Sequence, residues 1–263
     1  MEAYSHQKRS RRASKGMLFV GLLILFAMLI SACGNNSTTT GGSSSTASPV
    51  ASTVAAPNDL ITPGTLTVGS DTTYPPQEYI DTATKQAAGF DVVISAMSIT
   101  PERQKKVDFV PYFNAGESLL VKIGNPMNIK STADLCGKMV GVQNGTVEQT
   151  DLNTANTACK NAGKPAIQIT ALTNQTDVIQ LLASGRVVAT YQDSPVTDYY
   201  NKQHPGQFAV GGSVVNAGLE GIAVRKGDTS MFNAVQTAFN QLKANGTYTS
   251  LIQKWGLTNE AIS

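Results

Sequence analysis

Residues 92–109, VVISAMSITPERQKKVDF, decide how this chain is read, because an apolar run there delivers two hydroxyls and an arginine to one place. Residues 92–96 have the character of a buried strand. Thr100-Pro101-Glu102 has the form of a helix start, with threonine as N-cap and proline at the first helical position, where its missing N–H is no loss. Arg103 then falls in the first turn, where free amides already supply partial positive charge and a cation is disfavoured. Its placement makes sense if an anion docks between guanidinium and amides. With the hydroxyls of Ser95 and Ser98, this is the composition of a carboxylate or phosphate clamp. The same stretch also allows Arg103 to face solvent or to pair with Glu102 or Asp108.

Ser95-Ala96-Met97-Ser98-Ile99-Thr100-Pro101-Glu102-Arg103-Gln104 resembles the signature of extracellular solute-binding proteins (family 3 type) of polar amino-acid ABC importers. The resemblance implies an α/β, two-lobe, periplasmic-binding-protein-like (type II) fold. In that family the serines and the arginine hold the α-amino acid head group of the ligand.

The formal charge of +2 belongs to the N-terminus. Lys8, Arg9, Arg11, Arg12 and Lys15 precede an apolar run at 17–30, which is 14 residues long and ends at Ser31-Ala32-Cys33. A basic segment, a short apolar run and small residues before a break make a secretory signal, and the run is short for a membrane span. Ile30-Ser31-Ala32-Cys33 also resembles a lipobox, which implies that Cys33 is lipidated. The protein is then exported and tethered to the outer face of the cytoplasmic membrane through that lipid. Cleavage before Cys33 leaves 15 Lys and Arg against 17 Asp and Glu, a net charge of −2. Nothing in the mature part interleaves basic residues with aromatics, so no nucleic-acid partner is expected. Cys136 and Cys159 are the remaining cysteines, and an even count on an exported domain favours a disulfide between them. The histidines are His6 and His204, without metal-ligand spacing, so neither a metal nor a cofactor is expected.

The domain division read from the chain is a signal peptide at 1–32, a Ser/Thr/Gly linker at 33–61, and lobe one from 62 to 124. Lobe two follows at 125–216, and 217–263 returns to lobe one with C-terminal helices. Strands are expected at 66–70, 107–110, 117–122, 138–142, 167–171 and 186–191, with helices from 146 to about 161, at 177–184 and from about 195. The strand–helix alternation of 138–191 implies a parallel sheet covered by helices. Residues 78–91 have the pattern of a hairpin. In the resembled family a helix, a strand and a further helix intervene after Gly-Phe-Asp, whereas Asp91 here runs straight into Val92. A βαβ unit takes about 30 residues. Lobe one is therefore expected to be truncated, and the chain to bind amino acids far more weakly than an intact relative.

The remaining site residues follow strands. Asp71 and Tyr74 lie in Asp-Thr-Thr-Tyr-Pro-Pro at the carboxyl end of the first strand, where open α/β sheets bind ligands. Tyr74 could equally be a packing residue. Gly145, Thr146 and Val147 follow an Asn-Gly turn at a helix start and could offer amides to an anion, or be an ordinary turn. Asp193 could N-cap the helix near Pro195. By the resemblance, Arg103, the Ser95 and Ser98 hydroxyls and the 145–147 amides take the ligand carboxylate. Asp193 and the Ala96 carbonyl take the ammonium, and Tyr74 lines the pocket. The expected function is capture of an amino acid and its delivery to the membrane subunits of an ABC importer. Some enzymes share this fold, but with His204 outside the motifs and Asp193 assigned to the ammonium no acid–base pair stands out, so no catalysis is expected. The alternatives are a truncated paralogue that binds nothing or a solute-binding-fold enzyme.

Overall fold

One long strand, β3 (Val107–Lys122), joins the two halves of the molecule. The computed structural model describes residues 54–74 and 90–263. Along its whole length to Glu117, β3 pairs antiparallel with β8 (Val215–Arg225). From Glu117 onward its other edge pairs antiparallel with β6 (Ala189–Asp193), and its last residues also meet β7 (Phe208–Val210). The strand was expected in two pieces, 107–110 and 117–122. Instead, register shifts between Pro111 and Phe113 and between Ala115 and Glu117 carry the pairing through. Such bulges bend a strand without ending it.

On one side of this spine lies the parallel block. β4 (Met139–Gln143) pairs with β6 and with β5 (Gln168–Leu172), all parallel. The crossovers are α2 (Val147–Asn161) and α3 (Gln175–Ala183), and α4 (Ser194–Gln203) follows β6. Two apolar clusters cover the faces. Leu119, Leu135, Val140, Leu152 and Tyr191 make one, and Leu120, Ile179, Leu182, Val196 and Phe208 the other. The third strand of this block starts later than expected. Gly185 takes a positive φ of 77° and the amides of Arg186 and Val187 both bond back to the Leu181 carbonyl, so the helix cap consumes the first residues of the apolar run.

On the other side, β1 (Val68–Gly69) pairs parallel with β2 (Val92–Val93), and β2 pairs antiparallel with β8. Both are shorter than the expected 66–70 and 92–96. The expected 78–91 hairpin falls mostly outside the described residues. Asp91 ties this edge together: its carboxylate accepts the amides of Ile61 and Thr67, both at 2.7 Å, and these bonds hold its pKa below the ordinary value. Val92, Val110, Ile222, Val224, Met231 and Phe239 form the core here, capped by α5 (Thr229–Ala244) and α6 (Thr247–Trp255). Among the described residues, Leu66, Val68, Phe90 and Trp255 remain exposed here. The architecture is thus α/β with two halves joined by β3 and β8. No described helix is long and apolar enough to cross a membrane, and Cys33 and the apolar run at 17–30 lie outside the described residues.

The expected disulfide is present. Cys136 and Cys159 are bonded, with their Cα atoms 5.6 Å apart, and link the turn after Thr132–Leu135 to the last turn of α2. Closing a loop of 23 residues of separation contributes roughly 3 kcal/mol in the loop-entropy treatment. Denaturant unfolding with and without reductant is expected to show a loss of about that size on reduction. An unchanged midpoint would show that the bridge does not hold the parallel block.

Candidate functional site

The stretch quoted first folds around β8. The Ile99 amide donates to the Leu219 carbonyl (2.8 Å), the Gly221 amide donates to the Met97 carbonyl (3.0 Å), and Ser98 bridges Glu220. Gly221 makes this approach possible, since a Cβ there would sit 2.7 Å from the Phe109 ring and 3.0 Å from Ile99. Ala96 takes a positive φ of 40°, a conformation rare outside glycine, and so turns the chain between Ser95 and Ser98. Backbone strain of this kind is retained at ligand clamps.

The helix α1 (Pro101–Gln104) is a single turn. As expected, Thr100 is its N-cap, and its hydroxyl accepts the Arg103 amide at 3.2 Å. The Arg103 side chain donates from Nη1 to the Ser98 carbonyl (2.9 Å). Asp108, one alternative partner, is engaged instead by Lys226 Nζ at 2.6 Å. Among the described residues Arg103 makes no ion pair, so its charge is available to a ligand.

Across from it stands the carboxyl end of the parallel block. Thr146 caps α2 by accepting the Gln149 amide, and its hydroxyl donates to the Gln143 carbonyl. Gly145 takes φ 83°. Its amide, expected to face the ligand carboxylate, donates to Gln149 Oε1 at 2.7 Å. The first turn of a helix still leaves its following amides without intrahelical partners.

Asp193 ends β6 at the N-cap position of α4 but makes no side-chain cap bond. Its carboxylate accepts the Tyr74 hydroxyl at 3.0 Å, and its amide donates to the same phenol oxygen at 3.0 Å. Tyr74 is buried among Leu120, Ile179 and Val196, so it packs and also reaches the site. Two further bonds pin its loop to the parallel block. Gln143 Nε2 donates to the Asp71 carboxylate, and the Gln175 amide donates to Thr73 Oγ1 (3.1 Å). Asp71 also accepts from the amide and hydroxyl of Thr73 and donates its own amide to Ser95 Oγ.

All ten expected ligand residues line one cavity of about 160 Å³: Asp71, Tyr74, Ser95, Ala96, Ser98, Arg103, Gly145, Thr146, Val147 and Asp193. Met97, Gln143, Asn144 and Glu148 complete it. Glu148 was not foreseen. It lies in the first turn of α2, where an acid is ordinary because it complements the helix dipole. Only the fold brings it beside Asp193, and both are buried, 2% and 6% exposed. Burial and then the Asp193 charge push the Glu148 pKa well up, and burial and then the Glu220 charge push Asp193 up as well. Glu148 thus places a second buried carboxyl beside Asp193, one the sequence did not point to.

Comparison with known proteins gives a consistent picture. The chain is 31% identical over 173 residues to ABC transporter arginine-binding protein 1 of Escherichia coli K12, with 63% of this chain and 66% of that protein covered. It is 30% identical over 177 residues to the histidine-binding periplasmic protein of Salmonella typhimurium LT2, with 65% and 66% covered. The matches therefore span about two thirds of the length of these relatives. Among solved structures, an ancestral arginine-binding protein bound to arginine superposes with a TM-score of 0.65 at 33% identity, covering 73% of this chain and 98% of that one. Residues 84–258 match the family model itself, and the chain belongs to the bacterial extracellular solute-binding proteins, family 3.

Proposed function

We propose that this chain captures a free amino acid in the cleft between its two lobes and presents it to the membrane subunits of an ABC importer. The observation that carries the reading is that one small cavity holds both signs of charge: Arg103 and the α2 N-terminus as donors, and Asp193 as an acceptor. A zwitterion satisfies both, its carboxylate taken by Arg103, the Ser95 and Ser98 hydroxyls and the α2 amides, its ammonium by Asp193 and the Ala96 carbonyl. Charge-assisted bonds of this kind contribute about 1.5 to 3 kcal/mol each where water is excluded. The names of the relatives, arginine- and histidine-binding proteins, support an amino acid as ligand.

Lobe one comprises 62–124 and 217–263, and lobe two 125–216, so β3 and β8 are the crossings at which closure hinges. The short β1 and β2 support a lobe one that is reduced relative to its family, with affinity lowered because water reaches the charges. The basic segment, the apolar run and Cys33 support export and a lipid tether on the outer face of the cytoplasmic membrane. The role is binding and not catalysis. Thermal-shift screening of the purified protein against the free amino acids tests the reading. At least one amino acid is expected to raise the melting temperature, and none should do so in the Arg103→Ala variant. A shift that survives in that variant would remove the guanidinium from the site.

A further inference from the structure

Glu148 is the carboxyl of the head-group cavity that the capture of a zwitterion leaves unused. The lining carries three acids, Asp71, Glu148 and Asp193, against one cation, Arg103. Asp71 is supplied with donors by Gln143 and by the amide and hydroxyl of Thr73. Asp193 takes the Tyr74 hydroxyl on Oδ2 at 3.0 Å. Glu148 differs from both: it is 2% exposed, and among the described residues no donor reaches its Oε1. A buried polar atom without a partner is costly, so one that lines a ligand cavity points to a partner brought by the ligand.

The other oxygen of Glu148 is engaged, because the Glu148 and Asp193 carboxyl groups are hydrogen-bonded to each other. An ionised carboxylate only accepts, so a bond between two carboxyl groups needs one proton between them. The surroundings favour keeping it. Tyr74, Glu117 on β3, Tyr191 on β6 and Glu220 on β8 all act on one or other member of the pair, and each is an acid or a phenol. Only the Thr146 hydroxyl and the Glu148 amide, at the start of α2, favour the ionised form of Glu148, and burial outweighs them. A third full negative charge in a cavity with Arg103 as its one cation would stand uncompensated.

An ammonium group has three N–H donors. The capture reading supplies two acceptors, Asp193 and the Ala96 carbonyl, and leaves the third donor without one. We infer that Glu148 is the third acceptor of the ligand ammonium and works as a neutral acid, with its proton bonded to Asp193 and its Oε1 open to the ligand. The inference rests on the proposed capture of an amino acid and adds a residue that recognises the ammonium. With Glu148 neutral, Asp193 brings the full negative charge, and the pair neither gains nor loses a proton when the ligand binds.

Glutamine at this position reproduces the neutral acid, because its amide nitrogen donates to Asp193 and its oxygen accepts from the ammonium. Leucine keeps a similar volume and offers neither. The full chain is screened by thermal shift against the protein amino acids, and the one with the largest shift is titrated by calorimetry. The affinity of Glu148→Gln is expected to lie within threefold of the unaltered protein, and that of Glu148→Leu to be at least tenfold lower. Phosphate and Tris take up protons with different heats, and any difference in binding enthalpy between them at neutral pH is expected to be the same in Glu148→Gln as in the unaltered protein. Equal affinity in Glu148→Leu, a tenfold loss in Glu148→Gln, or a buffer difference that disappears in Glu148→Gln would each overturn the inference and leave capture standing. Binding of none of the amino acids would overturn capture, and the inference with it. If circular dichroism shows that Glu148→Leu does not fold, the affinity of Glu148→Gln and the buffer comparison decide.

Discussion

Asp193→Asn is expected to weaken amino-acid binding by roughly 2 to 5 kcal/mol, about thirtyfold or more, while making the unliganded protein more stable. The two effects have one cause. Asp193 is buried beside Glu148, with Glu220 and Glu117 close enough to raise its pKa further. Replacing the carboxylate by an amide of the same shape removes that repulsion and keeps an acceptor for the Tyr74 hydroxyl. The same change removes the charge that faces the ligand ammonium. A purely structural role for Asp193 would lower both quantities together, and an unaltered affinity would show that the ammonium is bound elsewhere. Paired measurement of affinity and melting temperature separates these outcomes.

Raising the pH from 5 to 8 is expected to destabilise the unliganded protein. Glu117 is pushed up to about 7 from an ordinary 4.5, chiefly by burial, while its bonds from Tyr191 and Asn216 act the other way. Between those two values the folded protein holds a proton that the unfolded chain has released, so stability is full below about 4.5 and falls until the pH passes about 7. At about 1.36 kcal/mol for each pH interval of one between those values, the change from Glu117 alone is at most about 3 kcal/mol. Burial pushes Glu148 in the same direction and adds to the slope. Asp91 and Asp108 have lowered pKa values and act in the opposite sense, but below pH 4. Urea unfolding across this range is expected to show the fall, flattened in Glu117→Gln. A profile that rises from pH 5 to 7 would contradict the burial of these acids.

What could be read from the chain was whatever is decided locally. Thr100 and Pro101 start a helix because capping and a fixed φ depend on neighbours within three residues, and both act as read. The parallel block follows from alternation, and Asp193 and the 145–147 turn follow from the ends of its strands. The cysteine pair follows from counting. Features decided by distant partners were not legible. Glu148 has the sequence context of any acid in a first helical turn, and nothing in that context places Asp193 next to it. Glu117 sits inside an apolar strand, and its burial depends on Tyr191, which is 74 residues away. The 16-residue β3 reads as two strands because its middle, 111–116, is carried by bulges whose pairing depends on the distant β8. The Tyr74 hydroxyl bonds to Asp193 across 119 residues, and the same burial that packs the ring makes that reach possible.

The central claim is that Arg103 and Asp193 clamp the two ends of one zwitterion. Calorimetric titration of the unaltered protein and of Arg103→Ala, with the amino acid that gives the largest thermal shift, addresses it most directly. Saturable one-to-one binding is expected, weaker than that of the arginine-binding relatives measured beside it, together with its loss in Arg103→Ala. Equal affinity in the two proteins, or the absence of binding for every amino acid, would contradict it.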